Sequence, residues 1–325
     1  MSHLKIDKDL LERFERGLDP RNPEKNEVPT TVLGYGEMST VFSIGEEGHR
    51  DFAYKRMPIF NNMDEADKYI TMYDEYNDLL TNTIGITVPP FDAAMIEDDE
   101  GLLVMFGVQK ILDPDSISHK VIHAVTDDEI MLMVRLILRE LKKIWFFNNK
   151  KEKLEIGIDG QISNWAVKDF DPNNPKITDK TKFFFFDTTT PFIKKDGVEQ
   201  MDPELLLRAA PSFLLWVIRW LFLEDVMTRY YDFHLVVVDI IANFYKEQRK
   251  DLIPALIDVA NDFFENEAKD LNIEPITRKI VDSYYKEDAM IWRLWMFFRK
   301  IDRFIRTKIT RKGYPFILPG KVKRY

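Results

Sequence analysis

Short runs of β-branched and aromatic residues dominate the first third of the chain, after a charged N-terminal segment. Residues 7–17 have the periodicity of a short helix, and prolines among polar residues predict a loop over 18–27. Five strands are then predicted, at 30–35, 39–44, 51–57, 88–94 and 102–108. Between the third and fourth strands, apolar residues recur at helical spacings, so 64–80 predicts one helix.

Helical patterns take over from about residue 126. Thr126 precedes three acids, as is typical of a helix N-terminus, and apolar residues keep the helical period up to residue 148. Apolar runs at 163–168 and 182–187 predict two strands joined by a loop, and the pattern after Pro203 is helical up to the tail.

Together these patterns predict an α+β fold with two lobes. Its expected parts are an N-terminal helix and loop (1–29), a small β-rich lobe with one helix (30–108) and a larger helical lobe (109–325). A cleft between two lobes is a usual place for a ligand.

Composition and charge exclude several classes of protein. The chain has 46 basic and 55 acidic residues, so its net charge of -9 predicts no general attraction for nucleic acid. It has no cysteine, which excludes disulfides and Cys-based metal sites and fits a cytoplasmic protein. The most apolar stretch, 205–226, contains Arg208, Pro211 and Arg219, so we expect a buried helix and no membrane span.

A glycine-rich turn lies between the first two predicted strands and contains Gly34, Gly36 and Ser39. Glycines let the backbone approach phosphates because no Cβ intervenes. In dinucleotide folds and Walker loops such glycines lead into a helix, whereas here strand-like sequence follows. A plain hairpin turn is the alternative interpretation.

Two charged residues follow on the next elements. Lys55 lies on the third predicted strand, and Glu75 lies late in the helix beside Asp74, which faces another direction. A solvated strand lysine and a solvated helix face are the alternative interpretations of these residues.

A further pair of motifs lies in the helical lobe. The segment 157–164 places Asp159 before Asn164, at the entrance to an apolar strand, and Asp187 ends the wholly apolar run 183–186. A carboxylate in that position is costly unless it meets a cation or a hydrogen-bond donor. Magnesium is one such cation, and a turn aspartate that caps the following threonines is the alternative.

In this order, the glycine-rich turn, the lysine, the helix acid, the Asp–Asn pair and the strand-end acid resemble the protein-kinase-like superfamily. The helical remainder has no Ala-Pro-Glu activation segment, and in this it is similar to the small-molecule branch of aminoglycoside phosphotransferases and choline kinases. The resemblance implies ATP and Mg²⁺ as cofactors and a small molecule as the acceptor, bound by the C-terminal helices.

The resemblance also implies a role for each residue. Lys55, held by Glu75, would position the phosphates. Asp159 would orient or deprotonate the attacking hydroxyl, while Asn164 and Asp187 would hold magnesium. The nucleotide site would add the flap, two apolar residues that pack on adenine, and two backbone positions at the hinge: Gly34, Gly36, Ser39, Val41, Ala53, Phe106 and Val108.

Several positions depart from the superfamily pattern. Gly157 stands in place of a histidine, Ser39 in place of a third glycine, and Gln161 where many relatives have a cation or a histidine. A neutral amide stabilises transferring phosphoryl charge less than a cation. Threonines instead of Phe-Gly follow Asp187, which argues against a regulatory flip of the protein-kinase type.

The sequence therefore predicts an ATP- and Mg²⁺-dependent phosphotransferase that acts on a hydroxyl of a small molecule. The rival hypothesis is a pseudokinase, a nucleotide-binding or scaffold protein without turnover, and transfer of AMP is a third alternative.

The C-terminal segment 290–325 is basic, with eleven Lys or Arg and one acid, Asp302. One interpretation is a contact with nucleic acid or an anionic membrane. The interpretation that we favour is a closing helix that packs on the core through one apolar face. That face consists of Ile291, Leu294, Trp295, Phe298, Ile301 and Ile305.

Overall fold

A computed structural model describes residues 4–36, 38–46, 50–151, 153–208 and 228–320. The first part is a five-stranded antiparallel sheet in the order β1-β2-β3-β5-β4. Its strands are β1 (Thr30–Tyr35), β2 (Thr40–Ile44), β3 (Phe52–Phe60), β4 (Phe91–Glu97) and β5 (Leu103–Lys110). All five predicted strands are present, with β4 and β5 displaced toward the C-terminus.

One face of this sheet packs against α1 (Lys8–Arg16), and the other faces the cleft. Phe42, Tyr54 and Phe106 are buried together with Leu11 and Phe14 of α1. The Phe14 ring meets the Phe42 ring at 5.1 Å and the Phe106 ring at 6.2 Å, both edge to face. Because side chains alternate across a strand, the sequence neighbours of these residues point to the cleft.

The helix between β3 and β4 is α2 (Met63–Asp78). Asn62 caps its N-terminus, and after one further turn the chain leaves through Gly85, whose φ of 84° favours glycine. Its inner face carries three fully buried tyrosines, Tyr69, Tyr73 and Tyr76. This face packs on both lobes and fixes the helix over the cleft.

The second part of the chain is mainly helical. Thr126 and Glu129 form the predicted capping box at the start of α4, and the Trp145 and Phe233 rings stack at 4.5 Å in the core. Of the region predicted to be helical after Pro203, residues 209–227 lie outside the described residues. The described helices are α3 (Ser118–Val121), α4 (Asp127–Asn148), α5 (Glu204–Leu207), α6 (Phe233–Lys246), α7 (Ile253–Asn266) and α8 (Arg278–Phe304). None of them is long and apolar enough to cross a bilayer.

Two small sheets lie among the helices. Strands β7 (Trp165–Val167) and β8 (Phe183–Phe185) form the predicted pair, and β6 (Leu154–Ile156) pairs with β9 (Ile193–Lys195). A hairpin that was not predicted joins β9 to β10 (Val198–Glu199) through a turn at 196–197 with positive φ at both residues. Such short, polar strands leave little periodic signal in the sequence.

After α8 the chain returns to the β-rich lobe. Tyr314 and Phe316 join an apolar cluster that includes residues of β3 and α2. Arg56 of β3 donates to the carbonyl of Pro315 at 2.6 Å and pairs with Glu15 of α1, and both of these charged side chains are only 3% exposed. The segment expected to belong to the helical lobe thus completes the core of the other lobe.

Of the apolar face expected for α8, Leu294 is exposed and the other five residues are half-buried, so the expectation fails at one position in the second half of the helix. Arg299 and Asp302 are buried there, whereas Leu294 is 38% and Phe297 57% exposed. The physical reason lies in the returning tail, because the Arg299 guanidinium sits 5.4 Å from the centre of the Phe316 ring. The tail thus gives Arg299 a partner on the buried side of the helix, which also holds Met296.

Candidate active site

The turn between β1 and β2 is compact, as a flap over phosphates requires. The N–H of Gly36 donates to the carbonyl of Ser39 at 2.9 Å. A Cβ on Gly36 would lie 2.6 Å from Ser39 Oγ, so this close approach favours glycine. Gly34 pairs with Val41 across the hairpin, next to a β-bulge. The predicted flap residues Gly34, Gly36 and Ser39 therefore lie together.

The cleft face of the sheet carries the predicted lysine and apolar residues. Val41 and Lys55 are cross-strand partners, and Lys55 is also opposite Gly107 of β5. Ala53 lies two residues before Lys55 and on the same face. All three side chains are half-buried, so they line the cleft beside the flap.

Lys55 reaches across the cleft to Asp187 at the end of β8. Its Nζ lies 2.5 Å from Asp187 Oδ1, and the side chains are 19% and 30% exposed. The strand-end carboxylate thus meets the cation that its position requires. This contact brings the two lobes together at one point.

The β7–β8 pair brings Asn164 beside Asp187. The N–H of Phe186 donates to the Asn164 carbonyl at 3.1 Å. The Asn164 side-chain Nδ2 donates to the Asp159 carbonyl at 3.0 Å, so Oδ1 is the atom of this amide that can bind a cation. Amide and carboxylate oxygens are the ligands that Mg²⁺ takes in proteins, so the donor set of Asn164 and Asp187 fits this ion.

Asp159 lies in the loop between β6 and β7. Burial, with the charges of Asp239 and Asp187 as further causes, raises the pKa of Asp159 from 3.8 to about 7. One of its oxygens accepts from the Gln161 N–H at 3.3 Å. A carboxyl with this pKa can take up or hold a proton near neutral pH.

Packing explains why Gly157 replaces the histidine of related loops. A Cβ there would lie 3.0 Å from Phe192 Cβ, 3.0 Å from the carbonyl of Tyr230 and 3.1 Å from Tyr231 Cε1. The Gly157 carbonyl accepts from the Tyr76 hydroxyl of α2 at 2.8 Å. Aromatic side chains thus fill the space around this backbone and connect the loop to α2.

Glu75 does not hold Lys55, so this predicted pair is wrong. Its carboxylate is 2.7 Å from Lys195 Nζ, on the β9–β10 hairpin. The reason is the rotation of α2, which turns the buried Tyr69, Tyr73 and Tyr76 toward the cleft and Glu75 toward the hairpin. Lys55 pairs with Asp187 instead.

The expected adenine contacts at Phe106 and Val108 are also wrong in position. Both residues lie within β5, between β3 and β4, and pair with residues on both neighbouring strands. Their backbone groups are therefore used by the sheet, and their side chains are fully buried on the α1 side. The chain leaves β5 after Lys110, so the connection between the lobes is 111–113.

Three residues near the site were not predicted. Asp239 of α6 is 6% exposed and accepts a hydrogen bond from Asn243 Nδ2 at 3.2 Å, and burial raises its pKa.

Tyr69 donates to the carbonyl of Thr189 at 2.7 Å, just beyond Asp187. Gln109 donates from Nε2 to the Thr188 hydroxyl at 3.2 Å. The helical spacing of the α2 tyrosines was a visible signal, but it resembles any buried helix face.

The chain has a protein-kinase-like fold. Its parts are a β-rich lobe with one helix and a helical lobe, and a lysine of the first meets an acid of the second across the cleft. The sequence matches the family described as "Family of unknown function (DUF6206)" over residues 20–306, and the chain belongs to that family. No curated protein matches the sequence.

Two solved structures show a weak similarity to the chain. One is the GDP complex of wild-type aminoglycoside 2'-phosphotransferase-IIIa, with 11% identity, coverage of 73% of this chain and 93% of that chain, and a TM-score of 0.32. The other is WaaP in complex with acyl carrier protein, with 11% identity, coverage of 80% and 96%, and a TM-score of 0.30. At these values neither likeness bears on function.

Proposed function

We propose that the protein is an ATP- and Mg²⁺-dependent phosphotransferase that acts on a hydroxyl group of a small molecule. The observation that supports this most directly is the contact of Lys55 with Asp187 across the cleft, with Asn164 bonded through its backbone to the residue before Asp187. A cation, a carboxylate and an amide oxygen are the groups that a nucleotide triphosphate with magnesium needs.

In this proposal Lys55 binds phosphate oxygens, and Asn164 and Asp187 hold the metal. Bound magnesium would neutralise charge on the phosphates. The ion pair between Lys55 and Asp187 separates when the nucleotide binds, because each group gains its own partner of opposite charge. The flap covers the phosphates, Val41 and Ala53 pack on the base, and backbone groups at 111–113 bind its edge.

Asp159 serves the acceptor. The acceptor oxygen attacks the γ-phosphorus, the bond from that phosphorus to the bridging oxygen breaks, and ADP leaves. Asp159 receives the hydroxyl proton, and its pKa of about 7 suits a base that works near neutral pH. Most of the rate enhancement in such a site comes from positioning and from charge neutralisation.

The proposal of a small acceptor rests on the segment after Asp187. Thr188 and Thr189 are buried, and side chains of β5 and α2 bond to them. A segment held in this way cannot swing out as a platform for a protein substrate. A small acceptor and ATP also fit the cytoplasmic location expected from the sequence.

The second candidate is a pseudokinase, and two observations favour it. Lys55 is already neutralised by Asp187, while Glu75 is held elsewhere. Gln161 also supplies only a neutral amide where a cation would help the transfer. Such a protein would keep the cleft, bind nucleotide or a partner protein, and have no turnover.

The test begins with the melting temperature of the protein with and without Mg·ATP. A ligand at a hundred times its Kd adds about 2.7 kcal/mol, which corresponds to roughly 5 °C for a chain of this size. We expect this rise to require magnesium and to disappear in Asp187→Asn. Asp258→Asn, which removes an exposed carboxylate on α7, should keep it.

Turnover is measured next, with [γ-³²P]ATP and a panel of amino, sugar and polyol alcohols. Transfer that Asp159→Asn abolishes, while the Mg·ATP-dependent rise persists, supports the phosphotransferase. A thermal shift with no transfer to any acceptor supports the pseudokinase. If millimolar nucleotide causes no shift, the phosphotransferase is refuted, and the result supports a pseudokinase that binds a partner protein instead of nucleotide.

A further inference from the structure

The outer face of α8 exposes large apolar side chains. Their exposed fractions are 50% for Met290, 38% for Leu294, 57% for Phe297, 59% for Phe304 and 65% for Ile309, in the turn that continues the helix. Isolated exposed apolar residues are common on proteins, but a row of them on one element indicates a contact surface.

These residues form a continuous stripe. The positions 290, 294, 297, 301 and 304 alternate steps of four and three, so they lie on one side of a helix. At 1.5 Å per residue the stripe is about 20 Å long. The opposite side holds the buried Met296, Arg299 and Asp302, so the helix packs on the protein by that side.

Cations line one edge of this stripe. Lys286, Arg293 and Lys300 are all exposed and recur every seven residues, which keeps them beside the apolar row. Lys308, Arg311 and Lys312 are exposed at its C-terminal end. Within 290–320 the only acid in the sequence is the buried Asp302, and the nearest exposed acid before it is Glu287.

We propose that this face of α8 docks on the surface of an anionic lipid bilayer. The helix would lie flat, with the phenylalanines at the boundary between headgroups and acyl chains and the cations at lipid phosphates. This contact is peripheral, since α8 enters the interface by one side only.

Charge complementarity favours this occupant over two others. In an antiparallel contact between two copies of the stripe, the cationic edges of the two helices would be brought close and would repel each other. Nucleic acid would satisfy the cations but would leave the phenylalanines exposed to water. A bilayer with acidic lipids satisfies both the apolar row and its basic edge.

The test is co-sedimentation of the full chain with sucrose-loaded vesicles. We expect binding to phosphatidylcholine vesicles that contain 30% phosphatidylglycerol, and little binding to pure phosphatidylcholine. Arg293→Gln with Lys300→Gln should lower the partition coefficient more than tenfold, at about five-fold for each cation removed. Lys250→Gln with Lys269→Gln, a matched pair of exposed lysines elsewhere, should leave it within two-fold.

The apolar row is tested with Phe297→Ser and Phe304→Ser together, and Val198→Ser is the control at another exposed apolar residue. We expect the double variant to lose binding and to keep the melting temperature of the wild type. A fall of several degrees would mean that the chain itself covers this face, and the proposal would be overturned.

Two other outcomes would also overturn the proposal. One is the absence of binding to acidic vesicles at low salt. The other is a wild-type dimer in light scattering that the double phenylalanine variant converts to a monomer without any vesicle binding, which would identify the face as a contact between copies. None of these outcomes depends on whether the cleft binds nucleotide.

Discussion

Adding a single methyl group to the loop before Asp159 should destabilise the fold. In Gly157→Ala the new Cβ meets three atoms at 3.0–3.1 Å, and one of them is the backbone carbonyl of Tyr230, which cannot rotate away. Overpacking of this kind costs about 1–3 kcal/mol. The lower entropy of the unfolded alanine chain offsets about 0.4–1 kcal/mol, so we expect a net loss of about 0–2.6 kcal/mol.

The assay is urea denaturation together with thermal melting, where this loss corresponds to a fall of a few degrees. Gly313→Ala is the matched control, because its Cβ would meet nothing within 4 Å and its φ is not positive. We expect that control to be neutral or slightly stabilising. Equal unfolding midpoints for the two variants would refute the inference that close packing requires glycine at position 157.

Three further predictions concern charge and hydrogen bonding. Lys55→Met should abolish the Mg·ATP-dependent rise in melting temperature, whereas Lys195→Met should retain it; equal loss in both would contradict the role of Lys55. Tyr76→Phe removes the donor to a buried loop carbonyl and should cost about 1–3 kcal/mol in urea denaturation, compared with no change for the exposed Tyr35→Phe. Because the pKa of Asp159 rises from 3.8 to about 7 on folding, the folded state binds its proton more tightly, and stability falls as pH rises between those values. The melting temperature of Asp159→Asn, taken relative to that of the wild type, should therefore rise from pH 5 to pH 8. A difference in melting temperature that stays constant over this range would show that folding does not shift the pKa of Asp159.

The parts of the site that the sequence predicts are those carried by local patterns. The flap glycines, Lys55, Asn164 and Asp187 each lie at a fixed place on a strand or turn, so strand prediction also places them in space. The two lobes follow from the change between β and helical periodicity. The structure accordingly brings these residues into one cleft.

What the sequence does not reveal depends on rotation and register. Glu75 and Tyr76 are adjacent on α2, and only the packing of the helix decides which of them faces the loop. The sequence predicts the hinge too early, at Phe106 and Val108. The reason is that an apolar strand gives no sign of the residue at which its hydrogen bonds to neighbouring strands end. The sequence also does not reveal that Arg299 of α8 is buried, because its partner is the tail after residue 313, which is distant in sequence.

Arg56 connects Glu15 to the carbonyl of Pro315, and this contact has a consequence for synthesis of the chain. The β-rich lobe leaves the ribosome first, yet its core lacks Tyr314, Phe316 and Ile317 until the helical lobe has been made. The apolar surface of its sheet that these residues cover therefore stays exposed while the helical lobe is translated. We therefore expect folding of the first lobe to be completed only after the helical lobe has been made, and the apolar surface exposed during that interval favours aggregation.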